Sequence, residues 1–200
     1  MRMHSRIFQL AICILIAVSC TVTADQTVKP KIKVASDGFP TGHDTPEGAA
    51  CDFARAFINR DAGLYSDVCL KPYGAGKSRD DYEAFLKSSI ESIKQEAAKT
   101  EPSPGGPKAI GKVFAARHLT SFGPASYGYA SFEFQDVKFV DVGVFLHNGD
   151  HVLNRTFMIK DKDGKWYVHP DPNVSPLLSQ GLSKESSSVS DFSEAYDVQK

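Results

Sequence analysis

The chain has 200 residues, with 23 Lys and Arg against 24 Asp and Glu, so its formal net charge at pH 7 is −1. Nucleic-acid binding depends on clustered basic contacts to phosphates, and no long basic stretch follows the first residues, so we exclude a nucleic-acid partner. The globular part, roughly 130 residues, is long enough for one domain with a hydrophobic core.

The N-terminus has the pattern of an export signal. Its first six residues carry two arginines and no acid, the apolar run IFQLAICILIAV follows, and small residues stand at Val22 and Ala24. This order is typical of a signal peptide. The apolar run is shorter than the roughly 20 residues that span a bilayer. We therefore predict a signal peptide at residues 1–24 and a periplasmic or secreted protein.

Two processing routes remain open for this signal. Cleavage after Ala24 gives a soluble protein that begins at Asp25. Residues 16–20 (IAVSC) are similar to a loose bacterial lipobox, which would make Cys20 the lipidated N-terminus. Ala17 stands where that motif usually has leucine, so soluble export is favoured. We expect contact with a membrane only if Cys20 is lipidated.

Two cysteines remain for the folded protein after export, Cys51 and Cys69. An even pair in an oxidising compartment favours a disulfide, and we predict one between them. The alternative is a pair of buried, reduced thiols. A catalytic cysteine is not favoured, because neither residue has a nearby histidine in the sequence.

Helical patterns occupy the first half of the domain. Residues 25–44 lack periodicity and contain two prolines, which predicts a flexible linker. Thr45 suits a helix N-cap and Pro46 the first helical position, and apolar residues then recur at helical spacing to about residue 59. A second short helix is predicted over 62–70, and a third over 78–97.

Strand patterns rich in Val, Phe and Tyr follow a break at 100–107. They cover residues 109–119, 125–134, 137–147, 151–160 and 165–169. Helices followed by an antiparallel meander predict an α+β domain over 45–170, with N-terminal helices packed on a curved, mostly antiparallel sheet. The Ser-rich and acidic segment 171–200 has too few apolar residues to fold alone, and we predict a disordered tail.

Two pieces of the sequence carry a family resemblance. One is TPEGAACDFARAFINRDAGLYSDV at 45–68; the other is IKDKDGKWYVHP at 159–170, where a charged turn, Gly164 and Trp166 start the last strand. With these pieces the chain resembles the nuclear transport factor 2-like superfamily, cone-shaped α+β domains related to ketosteroid isomerase and SnoaL-like proteins, and in particular exported bacterial members. The resemblance implies a cone with a possible pocket. It implies no reaction, because catalytic members use an acid or base deep in the cone without a shared motif.

The dipeptide Asn148-Gly149 is the strongest hairpin signal and predicts a two-residue type I′ turn. Residues whose numbers sum to 297 would then face each other. In this register Asp141 lies opposite Thr156 and shares its face with Asn154. Apolar side chains would frame this polar spot: Phe139, Phe145, Val152 and Met158. Such a group predicts a small-molecule pocket, in which a desolvated Asp141 is the candidate general base.

Three further motifs do not favour cofactor or metal chemistry. The stretch at 74–78 (GAGKS) is similar to a phosphate-binding loop, but Lys71 stands where that loop needs glycine. The stretch at 161–164 (DKDG) starts like a calcium loop, but lacks the acidic residue that should end it. His147 and His151 flank the hairpin turn and are predicted to point to different faces. We therefore predict neither a metal nor a cofactor.

The leading functional hypothesis is a non-catalytic exported domain that binds a small ligand or a protein in the cell envelope. One alternative is an acid–base enzyme of the isomerase or dehydratase type that uses Asp141. The other is a structural scaffold. The enzyme requires a pocket with Asp141 inside it, the binding protein requires only the pocket, and the scaffold requires a filled interior.

Overall fold

The computed structural model describes residues 31–72, 77–118, 136–170, 177–178 and 197–199. The predicted signal peptide, Cys20, the predicted strand 125–134 and most of the glycine-rich stretch at 74–78 lie outside these residues. Three helices are described: α1 (Pro46–Ile58), α2 (Ala62–Val68) and α3 (Lys77–Ala97). The strands are β1 (Lys31–Val34), β2 (Pro40–Thr41), β3 (Pro107–Val113), β4 (Arg117–His118), β5 (Asp136–Leu146), β6 (His151–Lys160), β7 (Trp166–His169), β8 (Leu177–Leu178) and β9 (Asp197–Gln199).

The first helix begins at its predicted cap, Thr45, and the second begins at Asp61, a cap that the sequence analysis did not predict. The Thr45 side chain accepts a hydrogen bond from the backbone N–H of Gly48 at 3.1 Å, and Pro46 follows at the first helical position. Asp61 caps α2 in the same way, accepting from the N–H of Leu64 at 2.9 Å. Each cap satisfies a backbone donor that the first turn of a helix leaves unpaired.

The main sheet has the order β3-β5-β6-β7, and all of these pairs are antiparallel. β4 extends it beside β5, and β8 pairs with β6. A smaller sheet has the order β2-β1-β9, in which β1 pairs antiparallel with β2 and parallel with β9. The predicted α+β class is therefore confirmed, with helices that precede an antiparallel sheet.

The core lies between α1 and one face of the main sheet. Small residues of α1, such as Ala50, allow the helix to approach the sheet closely. Valines of the central strands, among them Val140 and Val142, supply the opposite side and are fully buried. A second cluster joins the three helices and consists of Ala56, Tyr65, Val68, Cys69 and Ile93.

The longest helix, α3, packs mainly against α2. Ile93 is buried in the cluster that joins the helices, and the Tyr82 hydroxyl donates a hydrogen bond to the carbonyl oxygen of Leu70 at 2.9 Å. In the part of the chain that the structure describes, no helix is both long and apolar enough to cross a membrane.

The segment before α1 is folded, which corrects the predicted linker over residues 31–44. Ile32 and Phe39 are 0% and 3% exposed. Arg55 of α1 donates to the carbonyl oxygens of Phe39 and Pro40 and to both carboxylate oxygens of Asp37. Strands of four and two residues are too short to show periodicity, so the sequence pattern missed them. Likewise, β8 and β9 lie within the predicted disordered tail, at 177–178 and 197–199.

Cys51 and Cys69 are free and buried, so the structure does not contain the predicted disulfide. Cys51 packs in the core between α1 and the sheet. Cys69 follows α2 in an extended conformation and belongs to the cluster that joins the helices. Its backbone forms an isolated parallel β-bridge with Val168 of β7. The two thiols thus pack in separate clusters, although α1 and α2 are in contact. Of the two alternatives left open by the sequence, the structure has the buried, reduced pair.

Candidate functional site

The hairpin between β5 and β6 has a three-residue loop, which corrects the predicted register. Gly149 donates its N–H to the Leu146 carbonyl at 3.1 Å, and Leu146 donates to the Asp150 carbonyl at 2.8 Å. Gly149 has a φ of +89°, whereas Arg60 is the one described non-glycine residue with positive φ. A type I′ turn needs positive φ at Asn148 as well, so the turn is the type I form with a glycine bulge.

Facing residues therefore sum to 296, and the predicted polar spot is divided between the two faces of the sheet. Asp141 faces Arg155, while Val140 faces Thr156 and Val142 faces Asn154. Facing residues in an antiparallel pair share a face. Phe139, Asp141 and Phe145 consequently lie on one face, and Asn154, Thr156 and Met158 lie on the face that packs against α1.

A pocket of about 360 Å³ lies between α1 and this second face. This volume is within the usual range of small-molecule pockets, about 300–1,000 Å³. Helix α1 lines it with Ala50, Phe53, Ala54 and Phe57, and the strands with Val142, Val144, Leu146, Val152, Asn154 and Thr156. Gly105, Pro107, Arg155, Val168, His169 and Pro170 complete the lining. The lining is mainly aliphatic and aromatic.

Asn154 and Thr156 bring hydrogen-bonding groups to the strand side of the pocket. An amide offers two donors and an acceptor, and a hydroxyl one donor and two acceptors. Thr156 is only 5% exposed, so its hydroxyl lies where a bond to a ligand is shielded from water. The sequence predicted both residues as pocket residues, but assigned them to the face that carries Asp141.

The α1 wall and His169 were not predicted as site residues. Helical spacing identified Phe53, Ala54 and Phe57 as an apolar stripe, but such a stripe does not distinguish a filled core from a pocket wall. Phe57 remains 37% exposed. His169 ends β7 and stacks on Tyr82, with ring centroids 4.8 Å apart and an interplanar angle of 10°. No local sequence signal marks this long-range stacking.

Asp141 is engaged by two arginines on the opposite face of the sheet. Arg155 binds it bidentately, with Nε to Oδ1 at 2.8 Å and Nη2 to Oδ2 at 3.0 Å. Arg117 also donates through Nη2 to Oδ2. Asp141 is buried and lies outside the pocket lining. Asp141 is therefore not placed to exchange a proton with a ligand in the pocket.

A second ionic network joins the segment before α1 to that helix. The Arg55 guanidinium donates to Asp37, to Asp52 and to two backbone carbonyls. Asp52 also accepts from the Thr41 hydroxyl and the Gly42 N–H. The donors and acceptors of this network are bound to each other, which indicates a structural role.

The two histidines near the hairpin turn are not grouped with further metal ligands. His147 is exposed in the loop, and His151 packs its ring near Phe145 at a centroid distance of 6.4 Å. Across the described ranges, no cluster of three or more His, Cys, Asp or Glu could hold a metal ion.

Comparison of the chain with family models, with curated proteins and with solved structures finds no match in any of the three.

Proposed function

We propose that this protein is a non-catalytic binding protein that holds a small, mainly apolar ligand in the pocket between α1 and the sheet. The observation that carries the proposal is the pocket itself, about 360 Å³ in volume, with an apolar lining and two polar side chains, Asn154 and Thr156. Burial of apolar ligand surface provides affinity, and a few polar groups fix the orientation of the ligand.

A binding function is favoured over the two alternatives. An acid–base enzyme with a carboxylate in the pocket is not supported, because no Asp or Glu is among the described residues that line it. A pure scaffold needs no space between helix and sheet, whereas α1 and the strands here enclose a pocket. The export signal pattern at residues 1–24 supports a ligand encountered outside the cytoplasm.

The same arrangement supports membership of the nuclear transport factor 2-like class as a proposal. Helices precede an antiparallel sheet, and the pocket lies between the first helix and that sheet. A ligand between helix and sheet is what the sequence resemblance implies for such a domain.

The experiment uses the purified protein and the neutral dye N-phenyl-1-naphthylamine, whose fluorescence rises in apolar surroundings. We expect a saturable rise with one site per chain. Ala54→Leu adds volume to the α1 wall and Val152→Phe adds it to the strand wall, so each should weaken dye binding by about tenfold or more, or 1.4 kcal/mol. Ala84→Leu on the exposed side of α3 is the matched control and should leave binding unchanged.

The polar groups are tested by displacing the dye with naphthalene and with 1-naphthol. We expect 1-naphthol to bind more tightly, because a hydrogen bond contributes about 0.5–1.5 kcal/mol. Thr156→Val keeps the side-chain shape and should reduce this preference. Absence of saturable dye binding would refute the proposal. So would dye binding equal to that of the wild type by Ala54→Leu and Val152→Phe, once circular dichroism has shown that both variants are folded.

A further inference from the structure

On the other face of the sheet, two arginines converge on one carboxylate. Arg117 of β4 and Arg155 of β6 both donate through Nη2 to the same atom, Oδ2 of Asp141. Two positive charges thus share one negative charge within hydrogen-bond distance. Asp141 is also the sole acidic residue that β5 and β6 place on this face, as their register shows. The cluster therefore carries a net positive charge.

The two guanidinium groups are also held in place by an aromatic ring. The Cζ atom of Arg117 lies 4.6 Å from the ring centroid of Phe139, and that of Arg155 lies 4.5 Å from it. Cation–π contacts of this length hold both groups over the ring. A ligand that binds here therefore orders little additional side-chain structure, which lowers the entropic cost of binding.

Donors of both arginines remain available on the solvent side. Within the described part of the chain, the hydrogen bonds of these guanidinium groups use Nε and Nη2 of Arg155 and only Nη2 of Arg117. The side chains are 55% and 38% exposed for Arg117 and Arg155, against 4% for Asp141. The carboxylate is thus inaccessible to solvent, whereas the cations are accessible.

A third cation strengthens the same face. Lys112 of β3 lies opposite Gly143, two residues along β5 from Asp141 on the same side of the sheet. Gly143 contributes no side chain, and the Lys112 ammonium lies 4.8 Å from the ring centroid of Phe114. Three positive side chains therefore lie on the face that carries Asp141, two of them bound to its carboxylate.

We propose that Arg117 and Arg155 form a binding site for an oxyanion, a carboxylate or phosphate group of a small molecule. The planar fork of arginine matches both groups, and a bound oxyanion would supply the second negative charge for the pair. Asp141 then acts as the fixed carboxylate that holds the arginines in position. Arg155 also contributes to the lining of the apolar pocket, whereas Arg117 and Asp141 do not, so a substitution of Arg117 tests this site separately from the pocket.

The experiment is calorimetric titration of the purified protein with inorganic phosphate and, in a second arm, with succinate, each at constant ionic strength set with chloride. We expect saturable binding at one site. Whichever of phosphate and succinate binds more tightly identifies the class of oxyanion. Arg117→Gln should weaken binding by about tenfold or more, since it removes a charge-assisted hydrogen bond. Arg79→Gln, at an exposed arginine that pairs with Glu83, is the matched control and should have no effect.

Asp141→Asn separates a binding site from a purely structural ion pair. Asn at this position keeps a side-chain oxygen that accepts from an arginine but removes the negative charge, so oxyanion binding should become tighter in the folded variant, whereas a structural role predicts only a lower melting temperature. Should Asp141→Asn not fold, Arg117→Gln decides alone, because Arg117 is mostly exposed. Failure of phosphate and succinate to bind, or equal losses in Arg117→Gln and Arg79→Gln, would overturn the proposal.

Discussion

At the scale of single residues, burial determines the chemistry of the two thiols. Cys51 and Cys69 are 0% and 1% exposed. Burial raises the pKa of Cys69 to about 12 and raises the pKa of Cys51 as well. Since the thiolate is the reactive form, both cysteines should be inert in the folded protein.

We therefore predict that iodoacetamide at pH 8 leaves both thiols unmodified in the folded protein and alkylates both after unfolding in urea without reductant. Peptide mass mapping distinguishes Cys51 and Cys69 from the cysteines at 13 and 20. Recovery of a disulfide-linked peptide that contains Cys51 and Cys69 would contradict the prediction and support the pairing expected from the sequence.

Asp37 makes the stability of the protein fall at acidic pH. Burial raises the pKa of Asp37. Hydrogen bonds from Arg55 and from the Phe39 N–H, together with the positive charge of Arg55, outweigh the effect of burial and lower this pKa below its ordinary value of 3.8. The unfolded chain then takes up a proton at a higher pH than the folded one. Stability from this pair is present above pH 3.8 and is lost as the pH falls through the folded pKa.

Accordingly, urea unfolding should show a smaller free energy at pH 3 than at pH 6, and Asp37→Asn should reduce that difference. Asp81→Asn, at an exposed residue of α3, is the control and should retain the wild-type pH dependence. Identical pH profiles for Asp37→Asn and wild type would show that the Arg55 pair makes no contribution.

At the scale of elements, the hairpin loop sets which side chains share a face. Only Gly149 has positive φ in the observed loop. We predict that Gly149→Ala costs roughly 1–2 kcal/mol, because a side chain in the left-handed region is strained. Asn148→Ala should cost about 0.5 kcal/mol or less, as a surface substitution outside that region. Urea denaturation measures both, and similar costs at the two positions would indicate the two-residue type I′ turn instead.

At the scale of the whole molecule, the segment 31–44 is attached to α1 by a close approach at Gly48. A Cβ atom at Gly48 would overlap the carbonyl oxygen of Gly42 and lie 2.8 Å from that of Thr41. Both obstacles are backbone atoms, so the segment would have to move. This contact, together with Arg55, joins the smaller sheet to the domain.

We predict that Gly48→Ala lowers the free energy of unfolding by about 1–3 kcal/mol, the usual range for overpacking. Gly63→Ala in α2 is the matched control, because its Cβ would meet only the Asp61 carboxylate, at 3.2 Å. That change should stay within about 1 kcal/mol of wild type. If Gly48→Ala were as stable as the control, residues 31–44 would behave as the linker that the sequence suggested.

The sequence by itself determined the local features of this protein. Thr45 and Pro46 mark the start of α1 because capping depends on neighbours within three residues, and β-branched and aromatic runs located β5 to β7. The helix-then-strand order was enough for the α+β class.

Only the tertiary structure decided the register of β5 and β6, the presence of the pocket beside α1, and the burial of both cysteines as free thiols. One extra loop residue moved Asn154 and Thr156 to the face opposite Asp141, because side chains alternate along a strand. The pocket depends on how closely α1 approaches the strands, and the folding of residues 31–44 depends on Arg55, up to 18 positions away in the chain. Such long-range contacts leave no periodic signal in the sequence, since the partners are chosen by packing rather than by spacing.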